Sequence, residues 1–382
     1  MLKYIFLSII ISSSILESQA KNIFSLSKYE AKKYAKDFFE KYKTDIINKR
    51  SKEMDNKIIE INDIKMKFDF KFFGVKPESG WSLYISLHGG GGVADSVNEK
   101  QWNRHKTLYK LKEGMYVVPR SPTNTWNMWH QDHIDLLFNR IIQNMIVFHN
   151  INPNRVYLMG YSAGGDGVYQ LAPRMADRFA AAAMMAGHPN ETSPLGLRNI
   201  GFTIHMGEND SLYERNKVAI EWENKLNILR ENDSNGYPHL VKIHNGMGHW
   251  MGGLDSSAIA WISQFNRNPY PKKIIWKQDD VTHNRFYWLR VKNASKNALI
   301  IASINNQIIT IEQSNISNII IRLNDSLLNM NKNVIVTYLD QEIFNDVVPR
   351  NSITISNSIN EYGDPESIFF GELPITLNLD KE

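Results

Sequence analysis

Apolar positions recur along residues 60–270 with two different spacings. Short apolar runs at 66–72, 81–87, 115–119, 156–159, 179–185, 202–206 and 240–243 predict β-strands. Apolar residues three or four positions apart at 134–148, 218–229 and 254–265 predict amphipathic helices. Strands that alternate with helices are typical of βαβ units. The pattern therefore predicts an α/β domain with a doubly wound, mostly parallel sheet.

The segments on either side of this region have different patterns. Aromatic and aliphatic residues at four-residue spacing in 28–50 predict an amphipathic helix that packs on the following domain, with a membrane-surface helix as the alternative. Asn268-Pro269-Tyr270-Pro271 is typical of a linker. After it, apolar runs at 286–291, 298–304, 308–311, 319–323 and 334–338 predict short strands in a small β-sandwich. We thus expect an N-terminal segment at 21–60, a catalytic domain at 61–270 and an all-β domain at 271–382.

The first twenty residues have the pattern of a secretory signal peptide. Lys3 precedes an apolar stretch at 4–11, and Ser18-Gln19-Ala20 offers small residues for cleavage. We therefore expect a signal peptide at 1–20 and export from the cytoplasm. An uncleaved membrane anchor is the alternative, although the apolar stretch is too short to span a bilayer well.

Composition excludes some classes of function. The 382 residues include no cysteine, so thiolate nucleophiles and thiolate metal sites are excluded. The net charge of +4 is small and diffuse, and no basic stripe with interleaved aromatic residues is present. The sequence therefore predicts no nucleic-acid partner.

A serine stands at a turn between a predicted strand and a helix. The chain reads Gly160-Tyr161-Ser162-Ala163-Gly164, after the apolar run at 156–159 and before the helix-compatible residues 168–172. Small residues let two backbone segments approach closely in a sharp turn, which holds the serine oxygen above the sheet edge. A glycine-rich turn with an idle serine is the alternative. The pattern favours Ser162 as a nucleophile.

A nucleophilic serine needs a base to accept its proton and an acid to orient that base. His249 lies in a glycine-containing loop that can return to the serine, whereas His244 is expected within a strand. Asp210 follows a predicted strand, at the carboxyl edge where ligand sites form. Glu208 is the rival acid, and Asp210 could instead cap the next helix. The order Ser162, Asp210, His249 is the order expected in doubly wound hydrolases.

Acyl transfer also needs two backbone N–H donors for the developing oxyanion. The N–H of Ala163, directly after the serine, is one candidate. Gly89 and Gly90 are the others, because they lie in the run 88–92 at the end of a predicted strand, where glycine lets the backbone turn its amides inward. A phosphate-binding loop is the alternative, but the run lacks the Lys-Ser/Thr of a P-loop and the spacing of a dinucleotide fingerprint.

Four aromatic residues are weaker candidates for substrate contacts. Trp126, Trp129 and Trp250 lie near these segments and could line an acyl pocket, with core packing as the alternative. His188 follows the strand at 179–185 and could face the cleft. The histidine-rich stretch 129–133 has no third ligand nearby, so we expect no metal site.

These motifs together resemble those of α/β-hydrolases. The resemblance is carried by the glycine run at 88–91, the turn at 160–165, Asn209-Asp210 and Gly248-His249-Trp250. Residues 160–190 are similar to secreted esterases of the polyhydroxybutyrate-depolymerase and dienelactone-hydrolase-like type. The resemblance covers roughly residues 60–270, and some such proteins carry a small C-terminal β domain. It implies a Ser162–Asp210–His249 triad and no cofactor. Dienelactone hydrolases themselves use a cysteine, which this chain lacks.

The resemblance implies no particular substrate, because this fold hosts esterases, peptidases, lipases and lyases. We expect an exported serine hydrolase that cleaves a small-molecule or polymeric carboxylic ester through an acyl-enzyme. A peptidase of the prolyl-oligopeptidase type is one alternative, although no propeller-length region is present. A hydrolase-fold module that binds a polymer or glycan is another. No stable membrane insertion is expected after signal cleavage, and nothing in the sequence indicates an oligomeric state.

Overall fold

An eight-stranded sheet forms the centre of the protein. The computed structural model describes residues 25–379, and the predicted signal peptide lies outside this range. The strands are β1 (Ile58–Ile61), β2 (Ile64–Phe73), β3 (Trp81–Leu87), β4 (Gly114–Pro119), β5 (Ile151–Tyr161), β6 (Ala181–Met185), β7 (Gly201–Gly207) and β8 (His239–His244). Their spatial order is β1-β2-β4-β3-β5-β6-β7-β8. Only β2 runs against the others, so the predicted mostly parallel α/β sheet is confirmed.

Helices cover both faces of this sheet. They are α1 (Lys28–Asn56), α2 (Asp95–His105), α3 (Asp132–His149), α4 (Ala163–Arg174), α5 (Arg215–Asn232) and α6 (Ser257–Ile262). Consecutive residues of β5 belong to different cores: Leu158 packs with the apolar residues of α1, α3, α4 and α5, while Tyr157 and Met159 pack with those of α2 and α6. Strands buried on both faces are near-continuous apolar runs, which explains the sequence pattern.

The last helix of the α/β domain is shorter than the apolar spacing at 254–265 predicts. A short 3₁₀ turn precedes α6, which ends at Ile262. Asp255, which the sequence would allow to cap this helix, instead accepts a hydrogen bond from the hydroxyl of Tyr109.

The C-terminal region is built from two further sheets. One has the order β10-β11-β14-β17 and the other β16-β15-β13-β12-β9. The strands are β9 (Lys273–Lys277), β10 (Arg285–Phe286), β11 (Leu289–Arg290), β12 (Leu299–Asn305), β13 (Ile308–Ser314), β14 (Asn318–Leu323), β15 (Val334–Tyr338), β16 (Gln341–Asp346) and β17 (Gly371–Thr376). All neighbours are antiparallel except β13 and β15. The predicted C-terminal β region is confirmed, with an unpredicted helix, α7 (Ser352–Tyr362), which packs against α1.

The segment predicted as a linker is packed between the two regions. Tyr270 bonds through its hydroxyl to the backbone of Ile368, and the indole of Trp288 donates to the carbonyl of Pro271. Nearby, the guanidinium of Arg267 meets the carboxylate of Asp364 at 2.6 Å, and both side chains are almost fully buried. These contacts hold the C-terminal sheets against the α/β domain. Within residues 25–379, no helix is both long and apolar enough to cross a bilayer.

Candidate active site

Ser162 stands on a strained turn between β5 and α4. Its backbone has φ 59° and ψ −124°, a conformation that residues other than glycine rarely adopt. The turn is tight enough that a Cβ at Gly160 would lie 2.2 Å from the carbonyl oxygen of Gly164. A Cβ at Gly164 would lie 2.1 Å from the carbonyl oxygen of Leu87. Both positions therefore require glycine, and the turn presents the serine at the carboxyl edge of the sheet.

Three side chains from distant parts of the chain form one chain of hydrogen bonds at this edge. The Nε2 of His249 is 2.9 Å from the Oγ of Ser162, and its Nδ1 is 2.7 Å from Oδ2 of Asp210. An ionised carboxylate only accepts hydrogen bonds, so Nδ1 carries the proton and Nε2 is free to accept one from the serine hydroxyl. A hydrogen-bond chain of this kind can supply a nucleophile, a base and an acid that orients the base.

The loop that carries His249 is anchored next to the serine. The hydroxyl of Tyr161 donates to the carbonyl of His249 and accepts from the N–H of Met251. Where the loop crosses the end of β7, a Cβ at Gly207 would lie 2.1 Å from the carbonyl oxygen of Gly248. The loop and the strand end are thus packed backbone against backbone, which holds the imidazole in place.

The two rival residues lie outside this chain of hydrogen bonds. Glu208 accepts a hydrogen bond from the N–H of Gly246 at 2.7 Å, at the outer side of the loop. His244 ends β8, and its Nε2 lies 3.1 Å from Nδ1 of the buried His205. Asp210, by contrast, is 2% exposed and points to His249.

The glycine run after β3 is held by a buried histidine. The N–H of Ser121 donates to Nε2 of His88 at 3.2 Å, so the proton is on Nδ1, which donates to the carbonyl of Gly89 at 2.7 Å. In a trans peptide the C=O and N–H point in opposite directions. The N–H of Gly90 therefore points away from His88. Burial lowers the pKa of His88 to about 3, so the ring is neutral at ordinary pH.

Asn98 holds the next part of the same loop. Its Oδ1 accepts a hydrogen bond from the N–H of Gly91 at 2.8 Å. Gly90 has φ 115°, and a Cβ there would lie 2.1 Å from that same oxygen. On the other side of the serine, Ala163 is the first residue of α4, and its N–H has no acceptor within the helix. The N–H groups of Gly90 and Ala163 can thus serve as a pair of donors beside Ser162.

The strand order and the serine turn together identify the fold. A serine on a sharp, strained strand-to-helix turn at the edge of a mostly parallel sheet is typical of the α/β-hydrolase fold. The chain has an α/β-hydrolase fold.

Some known proteins are similar to parts of this chain. The chain matches no model of a known protein family. A stretch of 111 residues is 35% identical to the bifunctional acetylxylan esterase/xylanase XynS20E of Neocallimastix patriciarum, and it covers 28% of this chain and 16% of that protein. The matched stretch thus spans about one sixth of the length of that relative.

Similar solved structures include a thermostable esterase, with 18% identity, a TM-score of 0.44, and coverage of 55% of this chain and 62% of that one. The poly(3-hydroxybutyrate) depolymerase LpqC from Bordetella parapertussis has 15% identity and a TM-score of 0.40, and covers 55% of this chain and 90% of that one.

Two cavities of the hydrolase fold meet at Ser162. The larger has a volume of about 560 Å³ and the smaller about 160 Å³, and both are bordered by Gly90. The larger one is lined by Trp126 and His188, whereas His249 and Trp250 line the smaller one. Trp126 is 63% exposed and Trp250 is 46% exposed, so both indoles are available to a ligand.

Trp129 is placed differently from the other tryptophans. It is fully buried, and its indole N–H donates to the carbonyl of His88 at 3.0 Å. The side chain packs beneath the surface against the start of the glycine run and lines neither cavity. Core packing, the alternative considered from the sequence, is the role that its position favours.

The larger cavity also holds charged residues that the motifs did not indicate. Asp166 and Arg215 line it beside Ser162. Burial raises the pKa of Asp166 to about 6, against the opposing effect of the hydrogen bond from His188 and the charge of Arg215. Asp166 lies four residues after Ser162, in the first turn of α4. One helical turn therefore places its side chain on the same side of the helix as the serine. No sequence signal pointed to Arg215.

No group of three or more metal-ligating His, Asp or Glu side chains occurs within residues 25–379. Burial lowers the pKa of several histidines that are dispersed through the α/β domain. The lowered pKa is about 3 for His88, His105 and His205 and about 4 for His130.

Proposed function

We propose that the protein is a serine hydrolase that cleaves carboxylic esters through an acyl-enzyme. The observation that carries the proposal is the continuous hydrogen-bond chain from Asp210 through His249 to Ser162, at a strained strand-to-helix turn. The 111-residue similarity to an acetylxylan esterase/xylanase supports ester hydrolysis as the reaction. Export is proposed with it, on the pattern of residues 1–20.

In the first half-reaction, the Oγ of Ser162 attacks the ester carbonyl carbon while Nε2 of His249 takes the hydroxyl proton. The carboxylate of Asp210 keeps the ring in the required tautomer and stabilises the imidazolium. The N–H groups of Gly90 and Ala163 bind the negative oxygen of the tetrahedral intermediate. The imidazolium then gives its proton to the leaving alcohol, and the acyl group stays on the serine.

In the second half-reaction, a water molecule takes the place of the alcohol. His249 removes a proton from the water, which attacks the acyl carbon, and the second tetrahedral intermediate uses the same two N–H donors. Its collapse returns the proton to Ser162 and releases the carboxylic acid. No redox or metal step is needed for the atoms and charges to balance.

The position of the base assigns the two cavities. The leaving oxygen must come within hydrogen-bond reach of Nε2 of His249 to receive its proton. His249 lines the smaller cavity and not the larger one. The alcohol therefore occupies the smaller cavity and its rim at Trp250, and the acyl group extends into the larger cavity.

The proposal is tested with the mature protein and p-nitrophenyl acetate, before and after treatment with a fluorophosphonate. We expect turnover, and labelling at Ser162 that mapping of the modified peptide identifies. Ser162→Ala abolishes both, whereas the matched variant Ser257→Ala, whose hydroxyl bonds only to the carbonyl of Leu254, retains both. Turnover by a folded Ser162→Ala protein at the parent rate refutes the proposal.

The same preparation separates the alternative functions. A peptidase of the prolyl-oligopeptidase type would cleave aminoacyl p-nitroanilides at rates comparable to esters. A binding module would neither hydrolyse esters nor take the label, and would be retained on insoluble polyester or polysaccharide. We expect ester hydrolysis with little or no amide hydrolysis.

A further inference from the structure

The larger cavity holds an arginine whose hydrogen bonds are incomplete. Arg215 is 8% exposed and lines the cavity beside Ser162. Its Nη1 donates to the carbonyl of Leu212 at 3.4 Å and lies 3.7 Å from Oδ1 of Asp210. Its Nε is buried without a hydrogen-bond partner, and its Nη2 makes no hydrogen bond to the described residues. A donor that is free in a cavity is available to a ligand.

Arg215 lies at the end of its helix that is unfavourable for a positive charge. It is the first residue of α5, where the helix dipole is positive and no acidic side chain is present in the first turn. A cation is disfavoured at this end of a helix. The two preceding residues, Tyr213 and Glu214, have φ of 57° and 55°. Backbone strain of this kind concentrates at binding sites, where it holds side chains in position.

Asp166 supplies an acceptor in the same cavity. Its Oδ1 accepts the N–H of His188 at 2.6 Å, and its Oδ2 has no partner among the described residues. The charge of Arg215 acts on this carboxyl group and favours its ionised form. The cavity wall therefore presents one unused donor and one unused acceptor of opposite charge.

This pair selects for a neutral group. A carboxylate on the ligand would be attracted by Arg215 and repelled by Asp166, and an ammonium group would meet the reverse. A hydroxyl group can accept from Nη2 and donate to Oδ2 at the same time. Hydrogen bonds to charged partners are stronger than neutral ones, so the pair can discriminate a hydroxyl from a hydrogen atom. The exposed rings of Trp126 and Tyr213 border the same cavity and cover apolar parts of a ligand.

We propose that the larger cavity is the subsite for an acyl group that carries a hydroxyl, which accepts from Arg215 and donates to Asp166. The inference rests on the proposed esterase function and deepens it, because it names a class of acyl group. It makes Arg215 and Asp166 specificity-determining residues.

The test compares matched methyl esters by pH-stat at pH 7.5. One pair is butanoate and 3-hydroxybutanoate, and the other is 3-phenylpropanoate and 3-(4-hydroxyphenyl)propanoate. We expect kcat/KM for the hydroxylated member of at least one pair to be tenfold or more above its partner, as a hydrogen bond to a charged group can supply. A ratio near one in both pairs overturns the inference.

A substitution at Asp166 tests whether the preference for hydroxylated esters arises in the larger cavity. Asp166→Asn keeps the acceptor for the N–H of His188 but replaces the free acceptor with a donor, so we expect the ratio to fall below about three. Asp37→Asn, the same substitution at an exposed residue of α1 that lines neither cavity, is the matched control and retains the parent ratio. If Asp166→Asn does not fold, Arg215→Lys removes the guanidinium fork and is expected to lower the ratio in the same way. A folded variant of either kind with the parent ratio overturns the inference.

A third pair checks which half of the ester enters the cavity. Propyl butanoate and 2,3-dihydroxypropyl butanoate differ only in the alcohol, and we expect them to be hydrolysed at similar rates. A preference for the dihydroxypropyl ester that Asp166→Asn removes would place the alcohol in the larger cavity and overturn the acyl assignment. Failure of the proposed function looks different, because then none of the six esters is hydrolysed.

Discussion

His88 offers the sharpest test of how the glycine run supports catalysis. Its ring makes two separate hydrogen bonds, with Nδ1 donating to the carbonyl of Gly89 and Nε2 accepting from the N–H of Ser121. The amide nitrogen of asparagine can take the place of Nδ1, and the amide oxygen of glutamine can take the place of Nε2. His88→Asn therefore keeps the bond to Gly89, and His88→Gln keeps the bond to Ser121.

The two variants have similar costs in stability but different costs in rate. Each leaves one buried backbone group without a partner, which costs about 1–3 kcal/mol of unfolding free energy. Only His88→Gln releases the Gly89–Gly90 peptide, whose N–H is the proposed oxyanion donor. Removal of a whole donor lowers kcat by about 10²–10³. We expect about a hundredfold lower kcat for His88→Gln, and less than a fivefold loss for His88→Asn.

The assay is kcat and KM for p-nitrophenyl acetate, with thermal unfolding of the same samples. KM should change little, because the donors bind the tetrahedral oxygen better than the ground-state carbonyl. Equal losses of kcat in the two variants would mean that the ring only fills space. A His88→Gln protein within threefold of the parent would refute the proposed link between His88 and the donor.

Three further predictions follow from single contacts. Asp210→Asn should lower kcat by about 10⁴, because the amide would donate to Nδ1 of His249 and impose the wrong tautomer. The kcat of Glu208→Gln should stay within about threefold of the parent value. Equal losses of kcat in the two variants would contradict the choice of Asp210 as the acid. Asp364→Asn leaves two buried arginines without their carboxylate and should lower the unfolding free energy in urea by about 3–5 kcal/mol, while Asp37→Asn, in an exposed pair, should change it by less than about 1 kcal/mol. His88, His105, His130 and His205 have folded pKa values of about 3–4, below the value of about 6.5 in the unfolded chain. Their contribution to stability is therefore complete above pH 6.5 and is lost as the pH falls toward 4, by up to about 1.4 kcal/mol per histidine and pH unit. The melting temperature should therefore fall steadily between pH 6.5 and 4.5, and a constant value would contradict their neutral burial.

Local pattern was sufficient for the sheet and for the serine turn. The apolar runs of β3, β4 and β7 are buried on both faces, so each is apolar at almost every position and can be recognised without knowledge of its neighbours. The turn at Ser162 needs glycine at positions 160 and 164 for steric reasons within a few residues. Such requirements are recorded in the sequence itself.

The sequence pattern did not predict some elements whose buried residues pack against distant parts of the chain. α2 is mostly polar, with Trp102 as its main buried apolar side chain, and the sequence pattern did not indicate it. α7 lies among strands, and it is buried against α1, more than 300 residues earlier in the chain. β13 pairs with β15 in parallel. The alternating pattern of apolar residues does not indicate which strand lies next to which.

The sequence by itself indicated the strands β2 to β8, their order along the chain, and Ser162 and His249 as candidates at the sheet edge, because hydrophobic period and glycine sterics act over a few residues. The tertiary structure decided which acid reaches His249, which N–H of the glycine run turns away from His88, and which charges line the larger cavity. Those outcomes depend on distances between segments far apart in the chain, such as those of Ser162 and His249, which are 87 residues apart. Only the packing of the whole domain sets such distances.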